Sequence, residues 1–195
     1  MRKFLFAIAV FSTVTVNSAD KSRLGKEWFK AKHAESGDEF RTIRRVGIGS
    51  SIGGTHGVAG INLDLNFTEE TTFGLGYGFG SPFKAFSMYI RRYMGTKAFS
   101  PYFAGGYSRW THDGGPDEPV TSSTPNILFD RFLTDEQKKA GKFQKNFLYP
   151  ALGIQYNQFD GEWAGLAFAL EIDFLVDVEN LKSGTTGGIN CTYFF

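Results

Sequence analysis

Three histidines, one cysteine and a scatter of carboxylates are the raw material for chemistry in this chain. His56 ends the stretch Gly53-Gly54-Thr55-His56, and His112 is followed by Asp113, Asp117 and Glu118. A histidine beside a hydroxyl or a carboxylate can serve as a general base. His56 and His112 are therefore the candidate catalytic residues. No His-x-Ser pair stands at either one. Cys191 has no flanking metal or nucleophile motif, and a lone cysteine forms no internal disulfide, so no metal and no cofactor is expected. A second group is chemically louder. Arg45, Asp64, Arg91, Glu171 and Asp173 are full charges set among small or apolar residues. Burying them together requires pairing, because an unpaired buried charge is costly.

The elements that position these residues follow from composition and order. The chain has 195 residues with 24 Gly, 21 Phe, 8 Tyr and 3 Trp, and a formal charge of +1. Glycine is poor helix material and aromatics favour strands, so a helical bundle is excluded. Near-zero charge argues against nucleic-acid binding. The first twenty residues, MRKFLFAIAVFSTVTVNSAD, have a basic start, an apolar stretch and small residues at its end. This is the three-part pattern of a secretory signal peptide, assigned to residues 1–19. Residues 20–42 are polar and basic. Leu24, Trp28 and Ala31 share one helical face, which Ser36-Gly37 is expected to end. The segment reads equally as an amphipathic helix or an irregular lead-in.

From residue 43 the period becomes two. Eight segments alternate: 43–53, 57–67, 71–80, 83–94, 99–111, 146–158, 162–177 and 185–195. In 71–80, Phe73, Leu75, Tyr77 and Phe79 alternate with Gly74, Gly76, Gly78 and Gly80. In 162–177, Leu166, Phe168, Leu170, Ile172, Phe174 and Val176 alternate with Gly165, Ala167, Ala169, Glu171 and Asp173. Segment 99–111 carries apolar residues on both faces and has no evident orientation. A soluble sandwich or carrier buries its large face and shows charge to water. Here the second face is glycine and other small residues with a few charges. That suits a barrel turned inside out, with large residues toward lipid and small ones toward a narrow lumen. The expected fold is thus all-β: an eight-stranded antiparallel up-and-down transmembrane β-barrel over 43–195. Arg45, Asp64, Arg91, Glu171 and Asp173 are expected to point inward, as a plug of salt bridges rather than a pore.

Connections agree. Outer-membrane barrels have short turns at the periplasmic end and longer extracellular loops. The second, fourth and sixth connections are short, and the longest, about 112–145, is the fifth. Within it, Thr134-Asp135-Glu136-Gln137 reads as a capping box opening a short helix that Gly141 closes. Lys138, Lys139, Lys142 and Lys145 form a basic face there.

The end of the chain carries a resemblance. Tyr193-Phe194-Phe195 resembles the C-terminal sorting signal of Gram-negative outer-membrane barrels, with Tyr193 and Phe195 as its aromatic positions. Asn190 stands where that pattern prefers Gly. The stretch Ser100 to Tyr107 resembles the Pro-Tyr and Gly-rich strand of small OmpA/OmpX-type barrels. The resemblance implies a bacterial outer-membrane location, delivery by the barrel assembly machinery, and lipid and lipopolysaccharide as surroundings. It implies a structural or surface-interaction role, with an extracellular partner at loop 112–145. Some barrels of this class modify lipid A, so an acyltransferase or deacylase is the alternative. A secreted lipocalin-like carrier is the second alternative.

Overall fold

The computed structural model describes residues 34–80, 83–114, 117, 119–121 and 126–195. The signal-peptide assignment and the helix expected within 20–36 fall almost wholly outside these residues. The first described element is α1 (Gly37–Ile43), and Ser36 is its N-cap. The Ser36 hydroxyl accepts from the Glu39 amide, the bond that the spacing Ser-x-x-Glu favours at a helix start.

Eight strands follow: β1 (Val46–Gly53), β2 (Ala59–Asn66), β3 (Thr71–Gly80), β4 (Phe83–Tyr93), β5 (Phe99–Asp113), β6 (Lys142–Asn157), β7 (Leu166–Asp177) and β8 (Ser183–Phe194). Each pairs with its sequence neighbour, and β1 pairs antiparallel with β8, so the sheet closes. Closure leaves no free sheet edge along the paired length. No described helix is long and apolar enough to cross a membrane, which says nothing of strands.

The two faces separate as the alternation requires. Ile48, Ile52, Phe79, Ile90, Leu170 and Ile172 are among the large apolar side chains exposed on the outside, Ile52 by 68%. On β4 this row is Phe86, Met88 and Ile90, with exposed Lys84 and Arg92 beyond its two ends. Eight residues separate those charges, about 26 Å along a strand at ~3.3 Å per residue. The period also orients β5. Ser100, Tyr102, Ala104, Ser108 and Trp110 point inward, while Phe99, Pro101 and Phe103 point outward.

The barrel has two different ends. Connections 67–70, 94–98 and 158–165 gather at one, together with α1. The last residues of β1, β3, β5 and β7 lie at the other. The longest connection is shorter than expected at both margins, because β5 runs through Asp113 and β6 starts at Lys142. It carries a π-helical turn (Leu128–Phe132) and α2 (Asp135–Ala140). Thr134 and Gln137 form the capping box of α2, and Gly141 ends it with φ 61°.

Candidate functional site

The interior is stacked from one end to the other. At the α1 end, Phe40 packs on Phe194 and Phe159 at 5.6 and 5.9 Å. Arg41 lies over the Tyr93 ring at 4.3 Å. It also donates to the Glu69 and Gly95 carbonyls, and the Gly37 amide donates to Thr96. These bonds tie the helix to two of the short turns. Arg44 reaches the Phe194 carbonyl at 3.0 Å.

Next comes the charged layer. Arg91 is 2% exposed and pairs with Asp64 at 3.6 Å and Glu171 at 3.5 Å. Its guanidinium lies over the Tyr89 ring at 4.5 Å and the Tyr102 ring at 5.3 Å. Those two tyrosines donate their hydroxyls to the same carboxylates: Tyr89 to Asp64 at 2.7 Å and Tyr102 to Glu171 at 2.9 Å. Asn62 and Thr192 also donate to Asp64. One cation, two acids and two phenols thus meet in one layer, with the carboxylates held by hydroxyl and amide donors and the guanidinium by charge and ring contacts.

Above that layer the first connection folds into the barrel. The 3-10 turn Gly54–His56 is flanked by Gly53 and Gly57, and three of these glycines have φ of 77°, 63° and 79°. Left-handed backbone at consecutive positions is open to glycine alone at little cost. It lets the chain reverse inward. The Thr55 carbonyl accepts from Trp110 Nε1 at 2.9 Å and from Ser108 at 3.2 Å. Asp173 is fully buried beside Gly54. His56 Nε2 meets the Ser87 hydroxyl at 2.8 Å. Burial, reinforced by Arg91, holds the His56 imidazole down at about 4, so it is neutral at pH 7. Beyond lie Phe83, Trp110, Phe147 and Phe132, with successive ring centroids 4.8 to 5.0 Å apart.

The glycine face has a physical reason here. A Cβ on Gly74 would overlap the Tyr89 ring, one on Gly76 the His56 ring, and one on Gly153 the Tyr102 ring. The alternation implies small and polar residues inside; the structure adds large rings, Tyr89 and Tyr102 from neighbouring strands and His56 from the inserted turn, in the space those glycines leave.

Of the expected inward charges, Asp64, Arg91, Glu171 and Asp173 lie inside the wall, and the first three are in contact. Arg45 does not join them. It is exposed and donates to the carbonyls of Thr42 at 3.0 Å and Phe67 at 3.2 Å. It precedes the first residue of β1, so no wall surrounds it. Lys145 departs from the expected basic face: it is buried and pairs with Asp177 at 3.1 Å and Glu179 at 3.5 Å.

The two candidate catalytic histidines are far apart in role. His112 Nδ1 lies 2.6 Å from the Gly141 carbonyl and its ring stacks on Phe143, closing the base of the long connection. His56 has a serine partner, yet Ser87 is 0% exposed. The chain does hold one Gly-x-Ser-x-Gly pattern, Gly49 to Gly53, with Ser51 at its centre. That run is regular strand β1 and Ser51 is buried, whereas the nucleophile pattern needs a sharp turn that exposes the hydroxyl. Among the described residues no group of three or more metal-type ligands gathers. Tyr193 and Phe195 point outward with their rings 5.1 Å apart.

No protein-family model and no curated protein matches this chain. Solved structures do. The N-terminal β-barrel domain of Pseudomonas aeruginosa OprF aligns at a TM-score of 0.54 and 13% identity, over 78% of this chain and 98% of that one. The Yersinia pestis outer membrane protein Ail, solved as a backbone structure in a phospholipid bilayer nanodisc, aligns at 0.42 and 10% identity, over 78% and 99%. The topology and the OprF alignment lead to one fold: the chain is a closed, eight-stranded, antiparallel up-and-down β-barrel, the fold of that OprF domain.

Proposed function

We propose that this protein is an integral barrel of a bacterial outer membrane, with a structural or surface-interaction role and an interior closed to conduction. The observation that carries the reading is the exposed apolar band. Large side chains such as Ile52, Ile61, Leu170 and Ile172 stand outward on strand after strand, and a soluble monomer rarely exposes a contiguous apolar patch above a few hundred Å². A closed barrel satisfies its backbone in lipid without an edge. The secreted-carrier alternative requires the opposite outer face.

The filling of the interior supports its closure. The Arg91 layer, the inserted Gly54–His56 turn and the stack from Phe83 to Phe132 occupy successive levels, and an eight-stranded barrel has room for little else. Outer-membrane delivery through the barrel assembly machinery uses Tyr193 and Phe195 as the aromatic signal. Loop 114–141 is the surface available to an extracellular partner. The lipid-A-modifying alternative has little support at the histidines, since Ser87 is buried and His112 is tied to Gly141.

Two measurements test this. Cells expressing the full chain should yield it in the outer-membrane fraction with heat-modifiable gel mobility, and planar bilayers should show no stable open steps. Recovery in the soluble fraction would remove the membrane reading. Stable conductance would remove the closed interior. Lipid A altered by the protein, seen by mass spectrometry, would restore the enzyme.

A further inference from the structure

The outward face of β7 and β8 is not evenly filled. A shallow furrow of about 740 Å³ crosses it from Leu152 and Ile154 of β6, past Leu170, Ile172, Gly187 and Ile189, to Ile52 of β1. A second hollow of about 340 Å³ is lined by Phe174, Thr185, Ser183, Ile127 and Arg131. The register joins them. Leu170 pairs with Ile189, Ile172 with Gly187, Phe174 with Thr185 and Val176 with Ser183. The two hollows therefore adjoin on β7 and β8, with Ile172 and Gly187 lining one and Phe174 and Thr185 the other. Six residues separate Leu170 from Val176, about 20 Å along the strand. At a tilt near 40° that is about 15 Å of depth, or one leaflet of a ~30 Å hydrocarbon core.

Gly187 explains the furrow, and packing does not explain Gly187. A Cβ built there meets only the Glu171 carbonyl, at 3.4 Å, and its φ is not in the left-handed region. Most strand glycines of this barrel would collide with a neighbour if given a side chain; Gly187 would not. A side chain fits, and the space is left open.

The upper end of the track is basic. Arg131 is exposed on the π-helical turn and touches the Ser183 carbonyl at 3.4 Å. Exposed Lys182 is the residue before Ser183. The acids nearest in sequence are Asp130, beside Arg131, and Glu179, which already pairs with Lys145 at 3.5 Å. An apolar track one leaflet deep, topped by a guanidinium, matches an amphiphile with an anionic head.

We propose that this furrow is a binding site for one phosphorylated acyl lipid, its chain along Gly187 and its phosphate at Arg131. The site rests on the membrane reading above and names a lipid class within it. The test uses the full chain folded in neutral detergent, with native mass spectrometry as readout. Dioleoyl phosphatidic acid is the probe. Dioleoylglycerol supplies chains without phosphate, and inorganic phosphate supplies the head without chains. The native protein should retain one phosphatidic acid at least tenfold more tightly than dioleoylglycerol. Arg131→Ala should abolish that preference, and Gly187→Leu, which fills the furrow, should weaken retention at least tenfold. Excess inorganic phosphate should displace nothing. A smaller loss in either variant, or displacement by phosphate alone, overturns the site. Heat-modifiable mobility confirms that each variant is folded. Lost lipid retention in a heat-modifiable barrel defeats the furrow and leaves the membrane reading intact. Recovery of the folded chain from aqueous solution without detergent defeats the membrane reading itself.

Discussion

Arg91→Met isolates the charged layer. The guanidinium faces Asp64 and Glu171 at 3.6 and 3.5 Å, and Arg91 and Asp64 are 2% and 0% exposed. Removing it leaves two carboxylates inside the wall without their cation. Breaking a buried pair from one side costs about 3–5 kcal/mol, because the remaining charge is neither solvated nor paired. The hydroxyls of Tyr89 and Tyr102 still donate to those carboxylates and soften the loss toward the lower figure. The triple variant Arg91→Met, Asp64→Asn, Glu171→Gln removes all three charges, while its amide oxygens still accept from the tyrosines. It should recover most of the loss, since an apolar or neutral replacement of a buried ion pair is often near neutral. Urea unfolding in detergent micelles measures both, followed by gel mobility and by the fluorescence of buried Trp110. Arg91→Met within 1 kcal/mol of the native protein would refute the reasoning. So would a triple variant no more stable than the single one.

Other consequences are smaller. Gly74→Ala puts a Cβ into the Tyr89 ring and should cost about 1–3 kcal/mol, whereas Gly105→Ala, with its nearest neighbour at 3.8 Å, should cost little; the same urea midpoints compare them. His56 is neutral in the folded barrel and titrates near 6.5 when unfolded. Its contribution is fully present above about pH 6.5 and is lost as pH falls toward about 4, a change of about 3 kcal/mol. His56→Gln should flatten that part of the stability–pH curve, and an unchanged curve would contradict the assigned burial. Phe132→Ala removes the ring that packs on Phe147 at 4.8 Å; it should cost about 3 kcal/mol and speed proteolysis within 114–141.

Much of the wall was legible because a barrel strand writes its two faces at period two. Ile61, Leu63 and Leu65 against Asn62 and Asp64 admit one orientation. Strand β5 did not, because Tyr102 and Trp110 fill the interior while Phe103 and Phe99 stand outside, and both rows are apolar. The contents of the interior were harder. A glycine row reads as a narrow lumen, but the rings it accommodates belong to other strands, so Gly74 and Tyr89 explain each other only once the register is known. Gly53-Gly54-Thr55-His56 reads as a tight turn, and nothing in its composition says that it points inward. Arg45 and Lys145 show the limit at the rims, where alternation continues in sequence after the wall has ended, or the wall continues past the expected loop. Helix α1 had a local signal in Ser36-x-x-Glu39, the start signature of a helix.

The outward apolar face is the central claim, and one thiol tests it. Ile189 stands outward on β8 with 53% exposure, and Cys191 is the only native cysteine. Ile189→Cys in a Cys191→Ser background, folded into liposomes, should resist a charged, membrane-impermeant maleimide until the sample is boiled in detergent. Glu179→Cys in the same background, on the β7–β8 connection, should react at once in right-side-out or permeabilised vesicles. Rapid modification of the cysteine at position 189 in intact vesicles would place that face in water and contradict the account.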